Sequence, residues 1–108
     1  MNKNDMVASG SVTPEVIEKW KSEYGEIAKF TVVDKGQKKI VYVRTPSNKD
    51  IDYASSNLTA GKLTQYGITL FHSCQIGGDK IESDAALRTI GKNMNELIED
   101  VEISLEKL

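Results

Sequence analysis

From Leu87 to the end of the chain the apolar residues recur at Leu87, Ile90, Met94, Leu97, Val101 and Leu108, with Ile98 and Leu105 alongside and no proline between them. Spacings of three and four gather such side chains on one stripe of a helix, while Arg88, Lys92, Glu96, Glu99, Asp100, Glu102 and Glu106 occupy the other angles. The pattern predicts one helix from Asp84 to Lys107, with Gly91 as its one weak point. At the helical rise it would be about 36 Å long, against a radius of gyration of about 13 Å for a compact domain of this size. A helix of that length packs along its siblings or projects outward, so the stripe either joins the bundle of its own domain, against the helices from Ile51 and Leu63, or binds a partner with the part left uncovered.

The chain has 108 residues, enough for one domain with a modest core. Its formal charge of -2 offers no general attraction to nucleic acid or acidic membranes. One cysteine forms no intramolecular disulfide, which makes a reducing cytoplasm the simplest home. No stretch approaches the roughly 20 apolar residues of a membrane span, so no membrane partner is expected. Residues 1–11 have no apolar core of the signal-peptide kind and read as a flexible N-terminal arm, leaving 12–108 as a single domain.

Thr13, Pro14 and Glu15 start a helix. The hydroxyl accepts an orphan amide, proline suits the first turn, and the acid complements the dipole. Val16, Ile17, Trp20 and Tyr24 share a face, and Gly25 ends it. Ala28, Phe30 and Val32 then alternate with Lys29 and Thr31, Asp34 to Gly36 turns, and Lys39 to Arg44 sets Ile40, Tyr42 and Arg44 opposite Val41 and Val43. This is an antiparallel hairpin. Ser47 and Asp50 have capping-box spacing before Ile51, Ala54 and Leu58. Leu63, Tyr66, Leu70 and Cys74 give another helical stripe, widened by Ile68 and Phe71 and ended by Gly77 and Gly78. Ser83 or Asp84 caps the last helix. The fold class is α+β: an N-terminal helix, a β-hairpin, then a mostly helical C-terminal bundle.

Catalytic chemistry finds no support. His72 and Cys74, the single histidine and cysteine, diverge on a helix and provide neither four zinc ligands nor a nucleophilic pair. Cys74 is expected to pack as a small hydrophobe and His72 to sit at the rim. Gly77-Gly78-Asp79-Lys80 lacks the phosphate-loop spacing, and Lys80 precedes Ile81 rather than a hydroxyl. It reads as a turn between helices in which Asp79 bonds local amides. Asp50 and Asp52, or Asp79, Glu82 and Asp84, match no calcium loop. No enzyme activity, cofactor or metal is expected. Lys35, Lys38, Lys39, Arg44 and Lys49 make the hairpin and its exit basic, which gives a nucleic-acid-binding regulator or accessory protein of a mobile element as the alternative function. Lysines that keep a strand edge solvated explain the same residues.

A first helix with Trp20-Lys21 closing on Tyr24-Gly25, a hairpin ending Tyr42-Val43-Arg44-Thr45-Pro46, and Cys74-Gln75-Ile76-Gly77-Gly78-Asp79 before a final helix follow one another in this order. In this the chain resembles small tail assembly chaperones of bacteriophages and prophages over roughly Glu18 to Ile98. The resemblance implies a non-enzymatic, oligomeric protein of the bacterial cytoplasm. Such a protein binds the tape measure protein, or tail tube subunits, until the tube polymerises, and is sometimes extended by ribosomal frameshifting. It supplies no fixed binding residues. The expected protein-binding site is therefore the stripe itself: Leu87, Ile90, Met94, Leu97, Ile98, Val101 and Leu105. Trp20 and Tyr42 are assigned to the core.

Overall fold

The computed structural model describes residues 9–97 and 106–107. Its elements are α1 (Pro14–Tyr24), β1 (Ile27–Asp34), β2 (Gln37–Arg44), α2 (Asn48–Thr59), α3 (Leu63–Cys74), β3 (Gln75–Gly78) and α4 (Asp84–Met94), with 3-10 turns at Ser9–Ser11 and Asn95–Leu97. The fold is α+β, and the helix starts follow local chemistry. The Thr13 hydroxyl accepts the Val16 N–H, Ser47 and Asp50 complete a capping box, and the Ser83 hydroxyl accepts the Ala86 N–H. Gly25 ends α1 at φ +80, a conformation that suits glycine, and its N–H reaches the Lys21 carbonyl.

The hairpin pairs Ile27 with Arg44 through to Asp34 with Gln37, leaving Lys35 and Gly36 as a two-residue turn. Both have positive φ, 51° and 79°, which matches the twist of the strands it joins. The sheet has a third member, in the order β1-β2-β3. Gln75 to Gly78, expected to end a helix and turn, instead continues from α3 without a loop and pairs antiparallel with β2, Tyr42 opposite Gly77 and Val41 opposite Gly78. The pairing shifts between Tyr42 and Val43, a bulge at which the Gln75 amide donates to the carbonyls of Gly77 and Asp79. Nor does Asp79 act locally: its carboxylate accepts the Ile40 N–H at 2.8 Å, and its own N–H reaches the Ile40 carbonyl at 2.8 Å.

β2 is thus the central strand and is buried on both faces. On one face Val41 and Val43 join Ala54, Leu70, Phe71, Cys74, Ile90 and Met94 beneath α2, α3 and α4. On the other, Tyr42 joins Trp20 and Ile76 beneath α1, with Val12, Val16, Ile17, Tyr24 and Ile27 around them. The Trp20 and Tyr42 rings are tilted by 44° at a centroid separation of 5.4 Å, a favourable aromatic geometry. Val12 packs here as part of the domain expected from residue 12, and the turn at Ser9–Ser11 precedes it; residues 1–8 lie outside the described residues.

The expected long helix is shorter. α4 has 11 residues, no more than its neighbours, before the 3-10 turn at Asn95–Leu97, and Glu106 and Lys107 have no regular structure. Two asparagines favour the stop. The Asn93 amide donates to the Thr89 carbonyl, and the Asn95 N–H bonds the Asn93 carbonyl. The first, a side-chain bond to the helix backbone, competes with helix propagation, and the second, between backbone groups, tightens the chain beyond it.

Gly91 is not a weak point but a crossing point. A Cβ there would lie 2.8 Å from the Gly67 carbonyl carbon and 3.0 Å from the Ile68 nitrogen, and one on Gly67 would lie 2.6 Å from the Gly91 carbonyl oxygen. The two glycines let α3 and α4 meet backbone to backbone. In a solvated helix, Gly→Ala gains about 1 kcal/mol. Here Gly91→Ala is expected to lose about 1–2 kcal/mol net, because the methyl forces two packed helices apart. Urea unfolding checks the sign; a stabilised variant would show that the crossing has room to relax.

Candidate partner-binding surface

The described part of the C-terminal stripe faces inward. Ile90 and Met94 are 2% and 0% exposed, and Leu87 and Leu97 are half-buried against the same core. Ile98, Val101 and Leu105 lie outside the described residues. Amphipathic periodicity reports which face of a helix is apolar, not whether its own domain or another protein covers it.

The basic residues do not form one face either: Lys35 and Lys39 line a common cleft, and the others lie elsewhere. Lys38 and Lys39 are consecutive on β2 and so project to opposite sides of the sheet. Lys35 is in the hairpin turn, and Lys49 is an exposed residue of the first turn of α2. Arg44 is held internally, with its guanidinium gripping both carboxylate oxygens of Asp50 while Nη2 also donates to the Ser73 carbonyl at 2.8 Å. It thereby ties the end of β2 to the start of α2 and the end of α3. These hydrogen bonds, followed by those from the Ser47 N–H and hydroxyl, hold the Asp50 carboxyl well below the usual carboxylate range against the opposing effect of burial. The Asp50 bond also raises the Arg44 pKa further above its ordinary value.

Cys74 is fully buried as expected, its Sγ 3.8 Å from Asp50 Oδ2. Burial pushes the thiol up to about 12, so it stays a neutral packing group. His72 is exposed at the rim. Among the described residues no three His, Cys, Asp or Glu side chains cluster as metal ligands, and no helix is long and apolar enough to cross a membrane.

What stands open is a groove of about 610 Å³ between α3 and α4. Its floor includes the Gly67 and Gly91 backbone, its walls include Tyr66 and Thr89, and Arg88 and Lys92 stand on its rim. Leu63 marks its mouth and is 74% exposed, the most exposed large apolar side chain among the described residues. Tyr53 and Leu58, on the adjoining α2, are exposed as well. Leu63 falls on the helical stripe that the sequence assigns to α3. It is the first residue of that helix, however, and stays largely in water. A pattern cannot register that end effect; the lack of a side-chain cap at Lys62 is the one local sign that α3 begins differently from α1, α2 and α4.

The groove combines apolar contact, a backbone floor and two cations. It can hold a helix or an extended segment with acidic flanks. Comparison with protein-family models, with curated proteins and with solved structures finds no match for this chain.

Proposed function

We propose that the protein is a non-enzymatic assembly chaperone of the phage or prophage tail type, which holds a helical segment of a tape measure or tail tube protein in the cytoplasm of the bacterial host until assembly. The observation that carries this reading is the open α3/α4 groove with Leu63 unburied at its mouth. A large apolar side chain kept in water beside a concave, cation-rimmed surface suits contact with another protein better than it suits an isolated fold.

A client helix laid in the groove would bury its apolar side chains against Leu63 and Tyr66 and set acidic residues near Arg88 and Lys92. This differs from docking on the C-terminal stripe, because Ile90 and Met94 already serve the core. Leu63→Asp is expected to leave thermal stability within about 0.5 kcal/mol of the parent, as substitutions at exposed sites do. It should reduce co-purification with co-expressed tape measure segments by about tenfold, equivalent to 1.4 kcal/mol. Arg88→Glu should act in the same direction and more strongly at low salt. Undiminished capture by both variants would exclude the groove as the client site. Failure of the parent protein to bind either tail component would exclude the chaperone reading.

A further inference from the structure

Among the described residues β1 is an edge strand of eight residues, and the register of the sheet shows which of its backbone groups point away from β2. Ile40 directs its N–H and carbonyl toward Asp79, on the β3 side. Its partner across the hairpin, Thr31, therefore belongs to a pair without mutual hydrogen bonds, and the Thr31 N–H and carbonyl point away from β2. By the same alternation Ile27, Lys29 and Val33 point outward too; the Thr45 N–H bonding the Glu26 carbonyl fits this phase. Lys29, Thr31 and Val33 have exposed side chains, Val33 being 71% exposed. Between β1 and α4 runs a second groove of about 280 Å³, lined by Phe30, Val32, Ala85, Ala86, Thr89 and Ile90.

We infer that this edge pairs with the β1 edge of a second copy of the chain, antiparallel and two-fold about Thr31, to make one continuous six-stranded sheet. The charges on the strand select the register. An antiparallel two-fold pairing must oppose outward-facing residues, so the axis falls on a single residue. Centred on Lys29 it would oppose two copies of Lys29, centred on Phe30 it would oppose Glu26 to Asp34, and centred on Val32 it would oppose Lys29 to Lys35. Like charges directly opposite one another are destabilising.

Centring on Thr31 avoids all three. It sets Thr31 against Thr31, Lys29 against Val33, Phe30 against Val32 and Ala28 against Asp34. The Lys29 stem then covers the exposed Val33 while its ammonium stays in water. On the other face Phe30 and Val32 of the incoming strand project toward the second groove, where Ala85 and Ala86 leave room. The two grooves adjoin at Ala85 and Thr89, but this contact is made by the β1 edge rather than by Leu63, Arg88 or Lys92, and it does not depend on the chaperone reading.

Sedimentation equilibrium over a wide dilution series tests the pairing. The parent chain is expected to dimerise reversibly. Thr31→Lys and Thr31→Glu, each placing like charges at the axis, should each weaken dimerisation by about tenfold or more. An equimolar mixture of the two should recover it, since the axis then pairs Lys with Glu. Thr31 is exposed, and near-ultraviolet circular dichroism of the Trp20 environment verifies that each variant is folded. A parent chain that stays monomeric throughout, a dimer unaffected by both substitutions, or a mixture no tighter than the single variants would overturn the inference.

Discussion

Gly78→Ala is expected to destabilise the protein by about 3 kcal/mol or more, through backbone strain and overpacking together. Gly78 has φ +99, where an L side chain is strained whatever the space around it. Space is lacking as well: an added Cβ would run into the Ile40 carbonyl oxygen and lie 2.7 Å from the Val41 Cα. Those atoms cannot retreat, because Val41 is fully buried in the central strand and Ile40 is clamped by Asp79 on both its N–H and its carbonyl. Gly25→Ala is the control. Its φ of +80 is comparable and its ψ of -131 also lies outside the left-handed helical region, but nothing lies within 4 Å of the added methyl, so the loss there should be strain alone, about 1–2 kcal/mol. Urea unfolding of the two variants separates strain from collision. Equal losses would mean that β3 moves away from β2 at little cost and does not secure the sheet.

The second large effect comes from Asp50. Its carboxylate accepts the Ser47 N–H as one half of the capping box and receives Arg44, so Asp50→Ala leaves that N–H unbonded and a half-buried guanidinium without its main partner, while the Ser47 hydroxyl still caps α2. The expected loss at neutral pH is about 3 kcal/mol, at the lower end for breaking a buried pair because both side chains retain some solvent contact. The pH dependence has a definite sign. The folded-state pKa of Asp50 is depressed below its unfolded value, so the folded protein binds fewer protons there. The stabilisation is complete above the unfolded value of about 3.9 and is lost as pH falls from there toward the folded value. The parent chain should therefore approach the stability of Asp50→Ala as the solution is acidified through that window. Unfolding midpoints measured at neutral pH and at successively lower pH would show the two curves converging; parallel curves would show that the carboxylate is not coupled to the fold through its charge.

Both effects sit at places where local sequence and tertiary structure disagree about what a residue is for. Gly77-Gly78 reads as punctuation because two glycines carry no side-chain period, and a four-residue strand is too short to display one. Arg44 reads as part of a basic surface because charge in a sequence has no direction. In the structure it is folded inward by a carboxylate six residues away and by a carbonyl at the end of α3. Gly91 reads as a flaw in its helix and proves to be where two helices touch. The Leu63 groove was illegible for a related reason. Its parts come from α3 and α4, and neither stretch signals that the other stops short of covering it.

What the sequence determined by itself is everything set by neighbours three or four residues apart. The Thr13, Ser47 and Ser83 caps, the Gly25 stop, the hairpin with its turn at Lys35-Gly36, the inward faces of Trp20 and Leu70, and the α+β class all follow from local hydrogen bonding and periodic burial. Only the tertiary structure decided that β2 is covered on both faces, that Gln75 to Gly78 is a strand, and that Ile90 and Met94 serve this domain's own core while Leu63 stays in water. The physical reason is that these outcomes depend on which distant surface arrives to exclude solvent, and a side chain's apolarity states that it gains from burial without naming the surface that buries it.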